Sequence, residues 1–347
     1  YPLILGSCES KALYMHQQIH QQIAENLLEN YQGQEPLANY LKKYFSANKK
    51  HGSRDRKSIS AFCYAHFRDG EIVFPLLENV SSEINVKQFV ASHQEQPLLF
   101  IRVRPWQRDK VIPKLIAAQI TYQEITPTTF AFVNTTSLQN ILELNKEVVI
   151  QDLNSQALAS LLALVPTSID QVLNVWDACA ASGGKSILMF DYLANIKIHV
   201  TDIRESILHN CEKRLAEAGI RPSSVQVVDL VYPFEIKKQF DFIFADVPCS
   251  GSGTWGRTPE QLKYFKQEQL ATYTELQGKI IENLIPALKL HGHLLFATCS
   301  VYKNENENNV AKLLATGKFK VVKQQYFKGY DKQADTLFGA LLEKIAD

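Results

Sequence analysis

From about residue 172 onward, short apolar runs alternate with longer amphipathic stretches, and this restricts the fold more than any other feature of the chain. Val172–Trp176, Ile198–Val200, Val225–Val228, Phe240–Ala245 and His293–Ala297 read as strands, with helical stretches between them. Repetition of strand, helix and strand predicts an α/β domain with a mainly parallel sheet and helices on both faces. Ligands in such a sheet sit beyond the carboxyl ends of the strands. The residues there therefore matter most.

The first strand runs into Asp177-Ala178-Cys179-Ala180-Ala181-Ser182-Gly183-Gly184-Lys185-Ser186. Two glycines between a strand and a helix let backbone amides come close to a ligand. Gly184-Lys185-Ser186 ends like a phosphate-binding P-loop, but the first glycine of that motif would fall on Cys179. The next three strands lead to Asp202, Asp229 and Asp246. A carboxylate at the end of a second strand can accept both hydroxyls of a ribose. One such Asp is ordinarily a helix cap, whereas three in succession after a glycine loop describe a site for an adenosyl compound. A plain tight turn is the reading without function.

Asp246-Val247-Pro248-Cys249-Ser250-Gly251-Ser252-Gly253 follows the fourth strand, and Thr298-Cys299-Ser300 follows the fifth. Adjacent strands would bring both thiols to one cleft. A lone cysteine is ordinarily a small buried hydrophobe, but two beside a carboxylate and an adenosyl site suit covalent chemistry. Carbon 5 of cytosine is too poor a nucleophile to take a methyl group unaided, and a thiolate adding to carbon 6 makes it enamine-like. A carboxyl such as Asp246, sharing a proton with the ring nitrogen, would neutralise charge building on the base.

These segments resemble the RNA cytosine-5 methyltransferases of the Sun/Nop family, and within it the bacterial ribosomal RNA enzymes with a NusB-like N-terminal domain. Gln151-Asp152-Leu153-Asn154-Ser155-Gln156 looks like the family's lead-in to the catalytic domain, and Asp177 to Ser186 like its adenosylmethionine loop. Asp246 to Pro259 is similar to its proline–cysteine motif, Thr298 to Ser300 with Glu305-Asn306-Glu307 to its nucleophile motif, and Asp335 to Lys344 to its closing strand. The resemblance implies a Rossmann-like domain with a seven-stranded sheet and S-adenosyl-L-methionine as cofactor. It implies Cys299 as nucleophile, Cys249 as the thiol that helps release product, and Asp246 and Lys185 as pocket groups. The cofactor contacts it implies are Cys179, Ala180, Ala181, Ser182, Gly183, Gly184, Lys185, Asp202, Asp229 and Asp246. Ser182 stands where the family has proline, which is expected to loosen the loop; Arg104 replaces an asparagine and Thr336 a glycine.

Three domains are expected: a helical NusB-like RNA-binding region over 1–87, a small α/β RNA-recognition-like module over 88–147, and the methyltransferase domain over 148–347. Leu13 to Tyr31, Pro36 to Phe45 and Arg54 to Phe67 read as helices, the first with Ile19, Ile23 and Leu27 on one face. Lys42 to Lys57 holds seven basic residues and one acid, either a solvated face or a phosphate-binding one, and Arg102, Arg104 and Arg108 are expected to extend it. Strands at Leu98–Val103 and Phe130–Val133 flank a helix at Lys110–Ala118.

The whole-chain balance of 37 basic against 36 acidic residues neither demands nor excludes nucleic acid. No apolar run reaches membrane-spanning length, and Tyr1 to Gly6 lacks the pattern of a signal peptide. The cysteines at 8, 63, 179, 211, 249 and 299 form no close pair, so neither a metal site nor a disulfide framework is expected. A cytoplasmic, monomeric enzyme acting on RNA, with rRNA favoured over tRNA and no DNA or membrane partner, is the expectation. The competing class is a non-catalytic RNA-binding assembly factor that holds the cofactor.

Overall fold

The computed structural model describes residues 5–234 and 238–347, residues 5–14 by backbone alone. The reading of Tyr1 to Gly6 rests on residues 1–4, outside the described residues, as does the Cys8 side chain.

Three helices come first: α1 (Leu5–Glu29), α2 (Leu37–Ala47) and α3 (Ser53–Arg68). Leu37, Leu41 and Phe45 recur at every fourth position, as do Ile59, Cys63 and Phe67, so each helix turns one apolar stripe inward. Ala24, Leu27 and Tyr31 of the first helix and its exit close this core, whereas Ile19, expected on the buried face, is exposed. The bundle is tied to the rest of the chain at α10 (Pro259–Tyr264), numbered by its later place. There the Tyr264 hydroxyl donates to Tyr31 O at 3.0 Å and the Leu37 amide donates to Glu260 Oε1 at 3.2 Å. Gly33, at φ +72°, is required at this contact: a Cβ there would lie 2.4 Å from the Tyr264 ring.

The segment after α3 does not stay with the bundle. Phe74, Val80, Ile84 and Phe89, the last in α4 (Val86–Ala91), pack with Trp255 and Tyr302 in the core of the C-terminal domain. The boundary expected at residue 87 therefore falls inside a stretch that belongs to that core.

The small module contains β1 (Leu99–Val103), α5 (Arg108–Ala117), β2 (Gln123–Thr126), β3 (Thr129–Phe132) and β4 (Val148–Ile150). Its antiparallel sheet has the order β2-β3-β1-β4. Because β4 pairs with β1, the sheet runs past residue 147, where the module was expected to end. Arg102 and Arg104 do not extend a basic surface. Both reach Asp191 of the next domain, at 2.6 and 2.7 Å, and Arg104 also donates to Asn145 O and Ala218 O. Arg108 pairs with Glu124 at 2.9 Å. These three guanidiniums are occupied within the chain.

The C-terminal domain opens with α6 (Leu153–Ala157) and α7 (Ala159–Leu162). It continues through β5 (Leu173–Asp177), α8 (Gly184–Tyr192), β6 (Ile196–Asp202), α9 (Glu205–Glu217), β7 (Ser224–Val227) and β8 (Phe240–Asp246). After α10 follow α11 (Glu268–Leu284), β9 (Leu288–Thr298), α12 (Glu307–Ala315), β10 (Phe319–Phe327) and β11 (Leu337–Lys344). The seven strands lie in the order β10-β11-β9-β8-β5-β6-β7, and only β11 runs against the others. Side chains alternate across the sheet. Phe242, Phe244, Leu295 and Ala297 face one helical layer, and Ile243, Ala245, Leu294 and Phe296 face the other. Both faces are covered, which is why these strands read as continuous apolar runs. Strand order reverses between β5 and β8, so their carboxyl ends, Asp177 and Asp246, flank the crevice where a ligand would enter.

Candidate active site

Residues 178–183 leave β5 as a tight loop. The Ala178 amide donates to Phe244 O and the Ala180 amide to Thr201 O, each at 2.9 Å, which stitches the loop to β8 and β6. Gly183 has φ +81° and leaves no room for a Cβ, which would stand 2.7 Å from Cys211 Sγ. Ser182 does not loosen the loop: its carbonyl and hydroxyl accept from Arg214 at 3.0 and 2.7 Å. The two groups a P-loop would aim at phosphate and magnesium are taken by carboxylates. Lys185 Nζ lies 2.5 Å from Asp246 Oδ2, and Ser186 Oγ donates to Asp177 Oδ2 at 2.5 Å. Burial pushes Asp177 up to about 7, and its other oxygen has no partner.

A cleft of about 410 Å³ opens beside this loop, lined by Cys179, Ala181, Asp202, Arg204, Asp229 and Asp246, with Ile203, Val228, Leu230, Leu276 and Ile280 as apolar walls. Its size and its mixture of apolar walls with a few fixed polar groups suit a nucleoside-sized ligand. Of the cofactor residues expected from sequence, Ala180, Ser182, Gly183 and Gly184 shape the loop without lining the cleft, and Lys185 is likewise not among the lining residues. Asp229 stands two residues past the end of β7, where its carboxylate caps a turn by accepting the Val231 amide at 3.0 Å. It still faces the cleft.

Asp202 ends β6, and both its oxygens are engaged. The amides of Arg204 and Ala181 donate to it at 2.9 Å, and the Arg204 guanidinium adds bonds at 3.0 and 3.1 Å. Burial opposes ionisation, but these donors outweigh it and hold the carboxyl below its ordinary range. A ribose would keep the two amide bonds and take over the places of the Arg204 side chain, which is more than half exposed and free to swing out. Asp202→Ala is expected to weaken S-adenosylmethionine binding, read as loss of the thermal shift that saturating ligand gives. At 100 times the dissociation constant that shift is worth about 2.7 kcal/mol. An undiminished shift in the variant would remove Asp202 from the site.

Because β8 and β9 are parallel neighbours, the loops that follow them meet. Cys249 Sγ and Cys299 Sγ stand 3.3 Å apart. The Gly253 amide donates to Cys299 O at 2.9 Å, and a Cβ on Gly253 would come within 1.9 Å of Thr336 O, so only glycine allows this approach. Thr336 itself is buried, and its hydroxyl accepts the Gly329 amide at 3.2 Å. The hydrogen bond to Cys299, together with burial, raises the Cys249 thiol well above its ordinary range. Burial works against the charge of Lys185, but Asp246 at 2.5 Å and then Cys299 reverse the balance and raise it.

Two groups without a role in the sequence reading hold these loops. Glu305 is fully buried and accepts from the Ser250 amide at 2.8 Å, the Ser250 hydroxyl at 2.5 Å and Gln277 Nε2 at 3.0 Å. Arg257 donates to Asp335 at 2.7 Å, Asp152 at 2.5 Å and Leu98 O at 3.0 Å, joining the lead-in segment to the closing strand. The only signal for Glu305 was a polar triplet soon after the second cysteine.

A seven-stranded sheet with one reversed strand, and a carboxylate-lined cleft at its switch point, are the architecture of the Rossmann-like fold of S-adenosylmethionine-dependent methyltransferases. Residues 161–337, about half of the chain, match the 16S rRNA methyltransferase RsmB/F family, and the chain belongs to that family. The ribosomal RNA small subunit methyltransferase B of Proteus mirabilis (strain HI4320) is 32% identical over 171 residues, 49% of this chain and 39% of that protein. The chain thus spans well under half the length of this relative. Among solved structures, PH0851 superimposes with a TM-score of 0.70 at 21% identity, over 88% of this chain and 76% of that one. NSun6 from Pyrococcus horikoshii with SFG gives 0.65 at 15% identity, over 78% of this chain and 97% of that one. These two likenesses speak to the fold.

Proposed function

We propose that this chain methylates carbon 5 of a cytosine in ribosomal RNA through a covalent bond between Cys299 and the base. The observation that carries the reading is the pair of thiols 3.3 Å apart, beside a Lys185–Asp246 pair at the mouth of the adenosyl cleft. S-adenosylmethionine supplies a methyl group on a positively charged sulfur. Asp202, Asp229 and the loop from Cys179 to Lys185 would hold it.

The protein's own groups do the rest. Cys299 adds to carbon 6, and carbon 5 becomes nucleophilic enough to accept the methyl group. Asp246, held by Lys185, shares a proton with the ring nitrogen and so balances charge on the base. Carbon 5 then gives its proton to water, the electron pair of that bond re-forms the C5–C6 double bond, the bond from Cys299 to carbon 6 breaks, and the pyrimidine regains its aromaticity. Cys249, kept protonated by its neighbour and by burial, assists this release by donating its proton to the departing sulfur of Cys299, 3.3 Å away. The target base must leave its stack to reach the thiols, so an unpaired cytosine is the natural substrate.

The helical region supplies a surface for RNA. Lys42, Lys49, Lys50, Arg54 and Lys57 are exposed, and none has an ion-pair partner among the described residues. Counter-ion release from such a surface is the ordinary source of RNA affinity.

Incubation with methyl-labelled S-adenosylmethionine and either small-subunit rRNA or tRNA, followed by digestion to nucleosides, tests the reading. Label in 5-methylcytosine from rRNA is the expected result. Label confined to tRNA would move the substrate; label in another nucleoside, or none, would remove the proposed chemistry.

A further inference from the structure

Two thiols in contact pose a question of charge. Only one can be the thiolate at a given moment, and both are half-buried. Their surroundings differ. On one side stands the Lys185–Asp246 ion pair, at 2.5 Å, whose opposite charges offset each other. On the other side, Glu305 crosses from the loop after Cys299 to the loop carrying Cys249, and bonds the amide and hydroxyl of the very next residue, Ser250.

We propose that Glu305 is a positioning residue that decides which of the two adjacent thiols ionises, holding Cys249 neutral and leaving Cys299 as the thiolate. This rests on the covalent reading above, in which the two cysteines have different tasks. Three donors converge on the carboxylate of Glu305, none of them a cation, so its negative charge is fixed in place but not cancelled. A like charge nearby disfavours ionisation of an acid, and Glu305 is among the charges that act on Cys249.

The other charged or titratable groups around the pair are Asp246 at the end of β8, Lys185 and Asp177 behind it, and Tyr273 on α11. Asp246 and Lys185 form a pair, and the Tyr273 phenol, raised first by burial and then by the thiols and Glu305, remains neutral. Among the described residues, Glu305 is therefore the charge without a counter-charge on the Cys249 side. The same bonds hold geometry: Ser250 Oγ also reaches Ser300 Oγ at 3.3 Å, Ser252 Oγ lies 3.2 Å from Ser300 Oγ, and the Val301 amide donates to Ser252 Oγ at 2.9 Å, so the two loops are cross-linked at five serine- and glutamate-centred contacts.

Alkylation reads ionisation directly, because a thiolate displaces iodide from iodoacetamide while a thiol does not: a sulfur–carbon bond forms and iodide leaves. The free protein is treated with limiting iodoacetamide, and the modified fraction of each cysteine is measured by peptide mass spectrometry. In the unaltered protein, Cys299 is expected to take most of the label. Glu305→Gln keeps the size of the side chain and removes the charge, and should raise the share of Cys249 about tenfold, the equivalent of one pKa unit. Glu305→Asp and Ser250→Ala keep the charge and alter the contacts, so both should retain the preference for Cys299. Retained thermal stabilisation by S-adenosylmethionine shows that each variant is folded. An unchanged ratio in Glu305→Gln would overturn the proposal, and so would an equal change in Ser250→Ala, which would make the effect one of packing. If Glu305→Gln does not fold, loss of the preference in Glu305→Asp overturns it alone. No RNA takes part, so the result is independent of whether cytosine is the substrate.

Discussion

Cys249→Ala is expected to leave the protein bonded to its RNA, whereas Cys299→Ala forms no bond at all. The two thiols touch, yet the proposed roles give them opposite phenotypes. Without Cys299, carbon 6 is not attacked and carbon 5 never becomes nucleophilic, so turnover falls to background and no adduct forms. Without Cys249, attack and methyl uptake proceed, and the group that assists elimination is missing. The methylated base then stays attached to Cys299. A denaturing gel of each variant with RNA and S-adenosylmethionine distinguishes them: a slow-migrating protein–RNA band for Cys249→Ala and none for Cys299→Ala. A band with the other variant would exchange the two assignments. Full turnover in both would end the covalent mechanism for this chain.

The second large effect concerns stability. The Asp191 carboxylate is buried and is the shared partner of Arg102, on β1 of the small module, and Arg104, just past its end, which reach across to α8. The Arg102 side chain is only 2% exposed, and one of its terminal nitrogens already lacks a partner. Removing the carboxylate leaves two guanidiniums facing each other in a dry interface. Breaking a buried pair in this way costs about 3–5 kcal/mol, well beyond the median surface salt bridge. Asp191→Ala is therefore expected to lower the midpoint of urea unfolding sharply and to expose residues 134–147 to proteolysis. A loss below about 1 kcal/mol would show that the junction is held by its apolar contacts instead. Asp191→Asn, which keeps one acceptor oxygen but loses the charge and turns an NH2 donor toward the guanidiniums, should fall between the unaltered protein and Asp191→Ala.

The C-terminal sheet was legible because its strands are short apolar runs at regular intervals. The features missed carry no such pattern. All four residues of β2, Gln123 to Thr126, are exposed, so nothing in their hydropathy marks a strand. β10 has most of its middle residues exposed or half-buried, and β4 is three residues long. Phe74 to Phe89 looked like a tail of the helical region because their partners, Trp255 and Tyr302, lie far away in sequence. Arg102, Arg104 and Arg108 were read as surface charge for the same reason: Asp191 and Glu124 become their neighbours only in the fold.

The site divides along the same line. Asp202, Asp246, Cys249 and Cys299 could be picked out because each follows a strand, and the topology of a parallel sheet collects such positions at one edge. The expected loop residues turned out to have two kinds of place, with Cys179 and Ala181 in the cleft and Ser182 and Gly183 behind it. Glu305 escaped because its part depends on Ser250 and Gln277, which reach it from two other elements. A buried carboxylate announces itself only once its donors are known.

The most direct measurement is a chemical one. The complex trapped by Cys249→Ala is digested with nuclease and protease, and tandem mass spectrometry locates the nucleotide on the peptide. The account predicts one adduct, on the sulfur of Cys299, whose mass includes a cytosine nucleotide and one added methyl group. An adduct on another residue, a nucleotide other than cytosine, or a trapped complex without the methyl group would contradict it.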